Sequence, residues 1–404
     1  MEKTHIASDE TLRRIAAALE GQVPVTYGFD LDMTNGDPGT CLTYLGDCSG
    51  FEPAKMDYTT GSFFWGSWAD AFFVPRPCML TFGGKVAYYL DPDDYSKKAD
   101  GTASDAASID FGGNAMMEWP VIWVKRTFTS SHYRVLVSNQ QRDPDFKCYS
   151  NLNASGDIVG FYTPCYFGSN DSSNRLRSIS GQANYVLQTA QTEATHAHAN
   201  GTGWYTETMA DRMLINDLLV LMGKTLDTQK AFGRGVNGAS AAIATGTMDA
   251  KGLFFGASGN ATGVKVFGME NYWGNIWRRI AGWMLVSGVQ KVKMCEGTQD
   301  GSTASAYNFT GEGYVALDSA TPGGTSGGYI SAWKPTKYGL LPLTGSGSST
   351  TYGCDGLWFN NASAIYAFCG GRWSDGAHVG ALCAALYVGP GVAGADVGAA
   401  PSYR

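Results

Sequence analysis

Two stretches of the chain have apolar residues at the spacing of an α-helix. The first predicts a short amphipathic helix over residues 1–21, with Ser8 as its N-cap and Gly21 at its end. We expect its apolar face to pack either on its own domain or on a second copy of the chain. The positions that form this face are Leu12, Ile15, Ala16 and Leu19.

The second stretch is longer and predicts a helix over about Glu207–Leu226. Methionine and leucine give it a broad apolar face, and the methionines are expected to fill the core rather than to bind a cofactor. Polar residues mark the other side of this helix. They are Asp211, Asn216 and Asp217.

Much of the remaining chain consists of short β-like runs that end in turn clusters. Residues 22–110 contain such clusters at 34–39 and 91–94 and are rich in aromatic residues, so they predict a small β-rich domain. A second domain is expected over 111–404, because bulky residues in a pattern typical of a buried strand occupy 114–128. The expected fold class is α+β.

Composition agrees with a loop-rich, β-leaning protein. The 404 residues include 53 glycines, 13% are aromatic and only 16% are charged. The net charge of −7 and the absence of a basic run argue against nucleic acid as the main partner. No apolar stretch reaches the roughly 18 residues that span a bilayer, so no membrane insertion is expected.

The nine cysteines are scattered and form no CxxC motif. This pattern favours free thiols in a protein made in a reducing cytoplasm over a disulfide framework. Asp9 and Glu10 stand where a signal peptide would be apolar, so a signal peptide is not expected. A protein made inside a cell can nevertheless act outside it, for example on a virion.

Three motifs contain residues of the kinds that bind metal ions or phosphate, but in each case an interpretation without a bound ligand is favoured. His196 and His198 would share one face of a strand and could meet a metal, but two ligands are too few for a defined site. The acidic run at 30–37 predicts a turn, because Cys41 stands where an EF-hand needs glutamate. The glycine-rich run at 231–238 lacks the lysine and hydroxyl of a P-loop. We expect no metal and no cofactor.

The last stretch, residues 370–404, sets chemically unrelated side chains in a frame of mostly small residues. Neither a helical nor a strand period organises those side chains, and no catalytic or metal spacing does. A frame that fixes the backbone around arbitrary side chains suits a surface for display. The frame residues of this predicted site are Gly370, Gly371, Trp373, Gly376, Gly380 and Gly398. The predicted ligand-binding residues are Arg372, Ser374, Asp375, His378, Val379, Leu382, Cys383, Tyr387, Val388, Gly389 and Asp396.

Residue types that are missing from this stretch give a further hint. Residues 374–400 contain no Lys, Glu, Gln, Met or Trp. These types cannot be reached from the asparagine codon AAC when only its two adenines change, whereas every predicted ligand-binding residue can. The pattern suggests substitution directed at adenines, and chance in a segment rich in small residues is the alternative.

Two motifs resemble those of the C-type-lectin fold, in the form shared by formylglycine-generating enzymes and the variable proteins of diversity-generating retroelements. The first motif lies at 268–277 and the second at 370–373, which is the order in which the family has them. GGRW at 370–373 resembles the family's GGSW, whereas 397–404 departs from the family's usual ending. The resemblance covers about residues 111–404, and residues 1–110 resemble, less specifically, N-terminal parts of phage tail proteins. The residues that match the family's GLYDMxGNVWEW motif are Gly268, Met269, Glu270, Gly274, Asn275, Ile276 and Trp277.

The retroelement branch of this family implies a non-enzymatic binding protein. Its variable region would cover about 358–400, with Trp358 and Phe359 flanking the site. The implied partner is a protein or glycan on a host cell, and the implied location is a phage tail in the virion. A homotrimer is expected by analogy with tail fibres. Calcium is not expected, because no carboxylates cluster in the sequence near 372–396.

Three alternatives stay open on the sequence. They are a bacterial surface adhesin of the same fold, a structural virion protein without a ligand, and an enzyme of the formylglycine-generating type. That enzyme type uses two closely spaced cysteines, whereas Cys369 and Cys383 are well separated and lack the family's flanking residues. Cys383 as a nucleophile would have only His378 at a recognisable offset.

Overall fold

The computed structural model describes residues 23–153, 155–294, 306–361 and 364–404. The helix predicted over 1–21 lies outside these ranges. The described residues form a β-rich fold with few helices, which agrees with the expected α+β class. Within the same ranges, no helix is long and apolar enough to cross a membrane.

Strands and helices are numbered here in chain order. The first strands are β1 (Thr26–Asp32), β2 (Leu42–Gly46), β3 (Lys55–Asp57), β4 (Ser62–Phe64), β5 (Arg76–Thr81), β6 (Val86–Asp91), β7 (Asp94–Lys98), β8 (Gly113–Trp119), β9 (Trp123–Phe128), β10 (His132–Ser138), β11 (Phe161–Pro164), β12 (Ser169–Asn170) and β13 (Leu176–Arg177). The helices are α1 (Ala190–His198), α2 (Met209–Gly223) and α3 (Thr228–Phe232). The later strands are β14 (Trp204–Thr206), β15 (Lys265–Val266), β16 (Met269–Glu270), β17 (Trp277–Val286), β18 (Val289–Val292), β19 (Val315–Ala316), β20 (Gly323–Gly324), β21 (Gly328–Thr336), β22 (Gly339–Gly347), β23 (Gly356–Phe359), β24 (Ile365–Cys369), β25 (Ala384–Leu386), β26 (Val397–Gly398) and β27 (Pro401–Tyr403). Short 3-10 turns occur at Tyr149–Asn151 and Gly376–His378.

Three sheets carry most of the architecture. A four-stranded sheet has the order β2-β1-β10-β9, and a seven-stranded sheet has the order β14-β27-β11-β8-β5-β6-β7. A ten-stranded sheet has the order β19-β18-β17-β24-β25-β23-β21-β22-β20, with β26 also paired to β17. Because β27 lies inside the seven-stranded sheet, the end of the chain is paired with strands from the middle of the sequence, β11 and β14.

The predicted domain boundary near residue 110 runs through two of these sheets. β1 pairs with β10, and β5 pairs with β8, so strands from both sides of the boundary exchange hydrogen bonds. One cluster of buried apolar side chains also extends from Phe29 to Leu386. Residues 22–110 therefore share their sheets and their core with the rest of the described chain.

The turn predicted from the acidic run is confirmed as the connection between β1 and β2. Asp32 Oδ1 accepts a hydrogen bond from the Thr34 amide at 2.9 Å, and Asp37 Oδ1 accepts one from the Gly39 amide at 2.9 Å. Carboxylates that bond to the backbone two residues further on are typical of such turns. These two acidic side chains therefore stabilise the turn.

The long predicted helix is confirmed as α2. Its start is fixed by a capping box, in which the Thr208 hydroxyl accepts from the Asp211 amide and the Asp211 carboxylate accepts from the Thr208 amide. Its end is marked by Lys224, which has a left-handed conformation. Every residue from Met209 to Met222 is buried, so the polar side of this helix faces protein rather than solvent.

The buried acidic residues of α2 pair with distant parts of the chain. Asp211 Oδ1 lies 2.7 Å from a guanidinium nitrogen of Arg404, and Asp217 Oδ2 lies 2.7 Å from Nε of Arg126. All four side chains are at most 8% exposed. Because an unpaired buried charge is strongly destabilising, each pair fixes its partner segment against the helix.

We expect Arg404→Gln to lower the free energy of unfolding by about 3–5 kcal/mol, because it leaves the buried Asp211 without its charge partner. Arg134→Gln is the matched control. It removes a half-exposed guanidinium that pairs with Asp30, and it should change the same free energy by less than about 1 kcal/mol. Denaturant unfolding of the full chain measures both variants, and equal effects would contradict the role given to Arg404.

Candidate functional site

The C-terminal segment contributes three strands, β24, β25 and β26, to the ten-stranded sheet. β25 lies between β24 and β23, so Ala385 is flanked by Phe368 and Trp358. One face of this part of the sheet packs on the main core. The opposite face carries a second apolar cluster, which we call the outer cluster. Its members are Trp277, Phe368, Cys383, Ala385 and Val397, with Trp358 and Val388 packed against them.

The structure divides the predicted ligand-binding residues into an exposed set and a buried set. Val379, Leu382 and Cys383 are at most 7% exposed. Val379 and Leu382 belong to the main core and Cys383 to the outer cluster, so predicting them as ligand contacts was wrong. The residues that keep exposed or half-exposed surface, here called the exposed set, are Arg372, Ser374, Asp375, His378, Tyr387, Val388, Gly389 and Asp396.

Arg372 joins two acidic residues of the exposed set. Its Nε lies 3.0 Å from Asp375 Oδ1, and its Nη1 pairs with Asp396. The two carboxylates that the sequence separates thus lie close together, with a guanidinium between them. Burial raises the pKa of Asp375, and Arg372 opposes this effect. Tyr387 is close enough to these charges for them to influence its hydroxyl, whose pKa is raised mainly by burial.

The other part of the exposed set is aromatic. The His378 ring stacks on Tyr329, with centroids 4.1 Å apart and planes 13° from parallel, and it lies 5.5 Å from Trp358. Trp358 meets Trp277 edge-on at 5.4 Å. Phe359, which was also predicted to flank the site, packs instead against the main core. The alternation of side chains along β23 accounts for this difference.

The two parts of the exposed set are connected through Asp375. Its carboxylate bonds to Arg372, and its carbonyl oxygen lies 3.1 Å from Nδ1 of His378. Sequence reasoning missed Tyr329, because it stands in β21 and nothing in its local pattern distinguishes it from other strand aromatics. The exposed set with Tyr329 and Trp358 forms the candidate binding surface.

Two frame glycines are required by the backbone and its neighbours. Gly371 has a φ of +83°, and a Cβ there would lie 2.6 Å from a Val379 methyl carbon. Gly380 has a φ of +151°, and a Cβ there would lie 2.0 Å from the Asp355 carboxylate. The remaining predicted frame residues are the buried Gly370 and Gly398 and the half-buried Trp373 and Gly376.

Buried groups hold the backbone immediately after Gly380. The Ala381 carbonyl accepts hydrogen bonds from Arg212 and Asn216 of α2, both at 2.9 Å. The Leu382 amide then donates to Asp355 Oδ2 at 2.9 Å. Asp355 is completely buried and forms no ion pair with any residue in the described ranges. Burial raises its pKa well above the usual range, which favours the neutral form of its carboxyl group.

The glycine-rich run at 231–238 supports the tail. The Asn237 carbonyl accepts from the Gly376 amide at 2.8 Å, and the Val236 carbonyl accepts from the Asn275 amide at 2.8 Å. The run therefore connects the tail to the segment that resembles the lectin motif. Two of its backbone carbonyl groups are used in these contacts.

Helix α1 and its flanks hold the loop at 387–396. The Ala190 amide donates to the Pro390 carbonyl at 2.9 Å, and Arg279 donates to the Val392 carbonyl at 3.0 Å. Arg279 is itself fixed by a buried pair with Glu193 of α1. Hydrogen bonds to backbone carbonyl groups therefore hold in place the loop that carries Tyr387 and Asp396.

His196 and His198 lie on α1 rather than on a strand. Residues two apart on a helix point in different directions, so the two imidazoles do not share the face that a metal would need. Nδ1 of His196 lies 2.9 Å from the Tyr185 hydroxyl. Among the described residues, no group of three or more His, Cys, Asp or Glu side chains is placed to hold a metal ion.

Cys369 and Cys383 are fully buried free thiols. Burial raises the pKa of Cys369 to about 11 and that of Cys383 well above its ordinary value. A reactive cysteine needs the opposite environment, in which a lowered pKa favours the thiolate. Neither thiol therefore has the lowered pKa that favours a nucleophilic thiolate.

We expect Gly380→Ala to lower the free energy of unfolding by about 3 kcal/mol, because the new Cβ would overlap the buried Asp355 carboxylate. Gly376→Ala is the control. Gly376 also has a positive φ, of +61°, but no atom lies within 4 Å of a Cβ there, so the expected loss is about 1 kcal/mol. Denaturant unfolding separates the two variants, and a Gly376→Ala effect as large as that of Gly380→Ala would contradict this account.

We expect Asp355→Asn to become more stable relative to the unaltered chain as the pH rises from about 5 to 8. The folded state raises the pKa of Asp355, so the native chain keeps a proton that the unfolded chain releases above about pH 4. The stability that this group contributes is complete below that pH and is lost as pH rises. Asparagine does not titrate. Melting temperatures of both proteins across this range test the expectation, and a constant difference would refute it.

No protein-family model matches this chain, and no curated protein is significantly similar to it.

Proposed function

We propose that this chain is a non-enzymatic ligand-binding protein that displays diversified residues on a C-type-lectin-like scaffold. The setting that best fits its sequence resemblance is a phage tail, where it would bind a protein or glycan on the host surface. The observation that carries the proposal is the division within the tail. The backbone at 380–386 and four of the six frame residues are buried, and hydrogen bonds hold the backbone there, whereas side chains of unrelated chemistry lie together at the surface.

The composition of the exposed set supports a binding role. Arg372 and Tyr387 belong to residue types that are enriched among energetically important interface contacts. His378 and Trp358 add flat aromatic surface beside them. Because the backbone below is fixed by buried bonds, little conformational entropy remains to be lost on binding, and a new side chain can add affinity directly. Several copies in one assembly, as in the expected trimer, would strengthen weak single-site binding.

The alternatives differ in what they require of the same residues. The formylglycine-generating type of enzyme needs a reactive cysteine, and the burial of Cys369 and Cys383 counts against it. A bacterial surface adhesin would use the same exposed set on a different carrier. A structural virion protein would need no variation at these positions, so sequence variation among siblings distinguishes it from the proposed function.

The test is to sequence the whole gene, with its flanking DNA, in many sibling clones. We expect substitutions at the adenine positions of a nearby near-copy, concentrated in the codons of the exposed set. Val379, Leu382 and Cys383 should stay constant or change only to small apolar residues, because they are buried. The codons of β8, read from the same clones, serve as the control and should be uniform.

Two results would count against the proposal. A uniform 3′ end with no near-copy nearby would exclude diversification and leave a fixed binding protein or a structural protein. Equally heavy variation at the three buried positions would show that exposure does not define the diversified surface.

A further inference from the structure

A cleft of about 430 Å³ opens next to the aromatic part of the candidate binding surface. Its volume is within the range of small-ligand pockets, roughly 300–1,000 Å³. Ala377 of the tail forms part of its wall, and Tyr58 forms another part. The polar residues of its lining that matter here are Asp227, Lys230, Arg234, Ser258, Ser349 and Thr350.

The two cations of this cleft have no acidic partner at ion-pair distance. Lys230 and Arg234 are exposed, and in the part of the chain that the structure describes neither forms an ion pair. Asp227 is near both, but its carboxylate accepts a hydrogen bond from the Lys230 amide at 2.9 Å rather than from either side chain. The guanidinium and the ammonium group are therefore available to an anion.

The cleft lies beside the aromatic stack. Ala377 lines the cleft, and the next residue, His378, stacks on Tyr329. Burial raises the pKa of the Tyr329 hydroxyl, and the positive charge of Arg234, which lines the cleft, opposes this effect. One ligand could therefore contact the cations and a flat aromatic edge at the same time.

We propose that this cleft binds a sugar residue that carries a carboxylate group. Arg234 and Lys230 would bind the carboxylate, since guanidinium and ammonium groups form the strongest hydrogen bonds with such anions. The hydroxyl groups of Ser258 and Thr350, together with the Asp227 carboxylate, would bond to the sugar hydroxyls. The aromatic edge at Tyr329 would face the apolar C–H side of the ring.

The lining favours a sugar over an acidic protein side chain. A single Asp or Glu side chain would satisfy the two cations but would make no use of the hydroxyl groups of the lining, which can bond to the hydroxyl groups of a sugar. The proposal does not rest on diversification of the tail. Both cations lie outside the predicted variable region at 358–400, so this cleft would keep its specificity while the tail changes.

Saturation-transfer NMR on the full chain tests the proposal with three small probes. Methyl glucuronide has the ring and the carboxylate, methyl glucoside has the ring alone, and glutarate has carboxylates without a ring. We expect clear saturation of methyl glucuronide and weaker signals from the other two. Arg234→Gln and Lys230→Gln should each weaken glucuronide binding by about tenfold, as expected for the loss of a charged hydrogen bond.

Lys85→Gln is the matched control, because Lys85 is an exposed lysine that does not line the cleft. It should bind methyl glucuronide like the unaltered chain, and the melting temperatures of all three variants should agree. No glucuronide binding by the unaltered chain, or binding that both cleft variants retain, would overturn the proposal. Glutarate binding as strong as glucuronide binding would assign the cleft to acidic side chains instead and would equally overturn it.

Discussion

A helix buried on every side must find partners for all its polar groups inside the protein, and much of this structure is arranged around that requirement. In α2, Asp211 is neutralised by Arg404 at the end of the chain, and Asp217 is neutralised by Arg126 of β9. Arg212 reaches the tail carbonyl that follows Gly380. An unpaired buried charge costs several kcal/mol, so these contacts constrain segments that are far apart in sequence. They place the tail and the final strand against one rigid element.

The tail depends on this constraint for its shape. Between Gly380 and Leu386 the chain runs through the interior, and its backbone groups bond to α2 and to Asp355. A buried carboxyl group is costly to desolvate, but the Asp355 carboxyl group accepts from the Leu382 amide and so satisfies a backbone donor that water cannot reach. Side chains of the exposed set contribute little to this arrangement. The conformation of residues 380–386 is therefore largely independent of what those side chains are.

Local patterns in the sequence were sufficient for α2 and for the turn between β1 and β2. They were insufficient where pairing between distant segments decides the structure. No local signal places β27 between β14 and β11, and none brings Tyr329 to His378. The burial of Leu382 was also not predictable, because positive-φ glycines and a 3-10 turn break any regular period in the tail. The pairing of strands across residue 110 was not predictable either, because composition carries no information on which strands pair.

A protein whose contact residues are rewritten faces a physical difficulty, because most random side-chain sets bind a given ligand poorly. A fixed site for a common chemical group reduces this difficulty. A sugar held in the cleft would keep the rest of its glycan near Arg372 and Tyr387 at a high effective concentration, so that even weak variable contacts would matter. Arg234 and Lys230 would bind any glycan that carries such a sugar. The exposed set would then discriminate between glycans of this kind. The adjacency of Ala377 and His378, one lining the cleft and the other stacked on Tyr329, is what makes this division of roles geometrically possible.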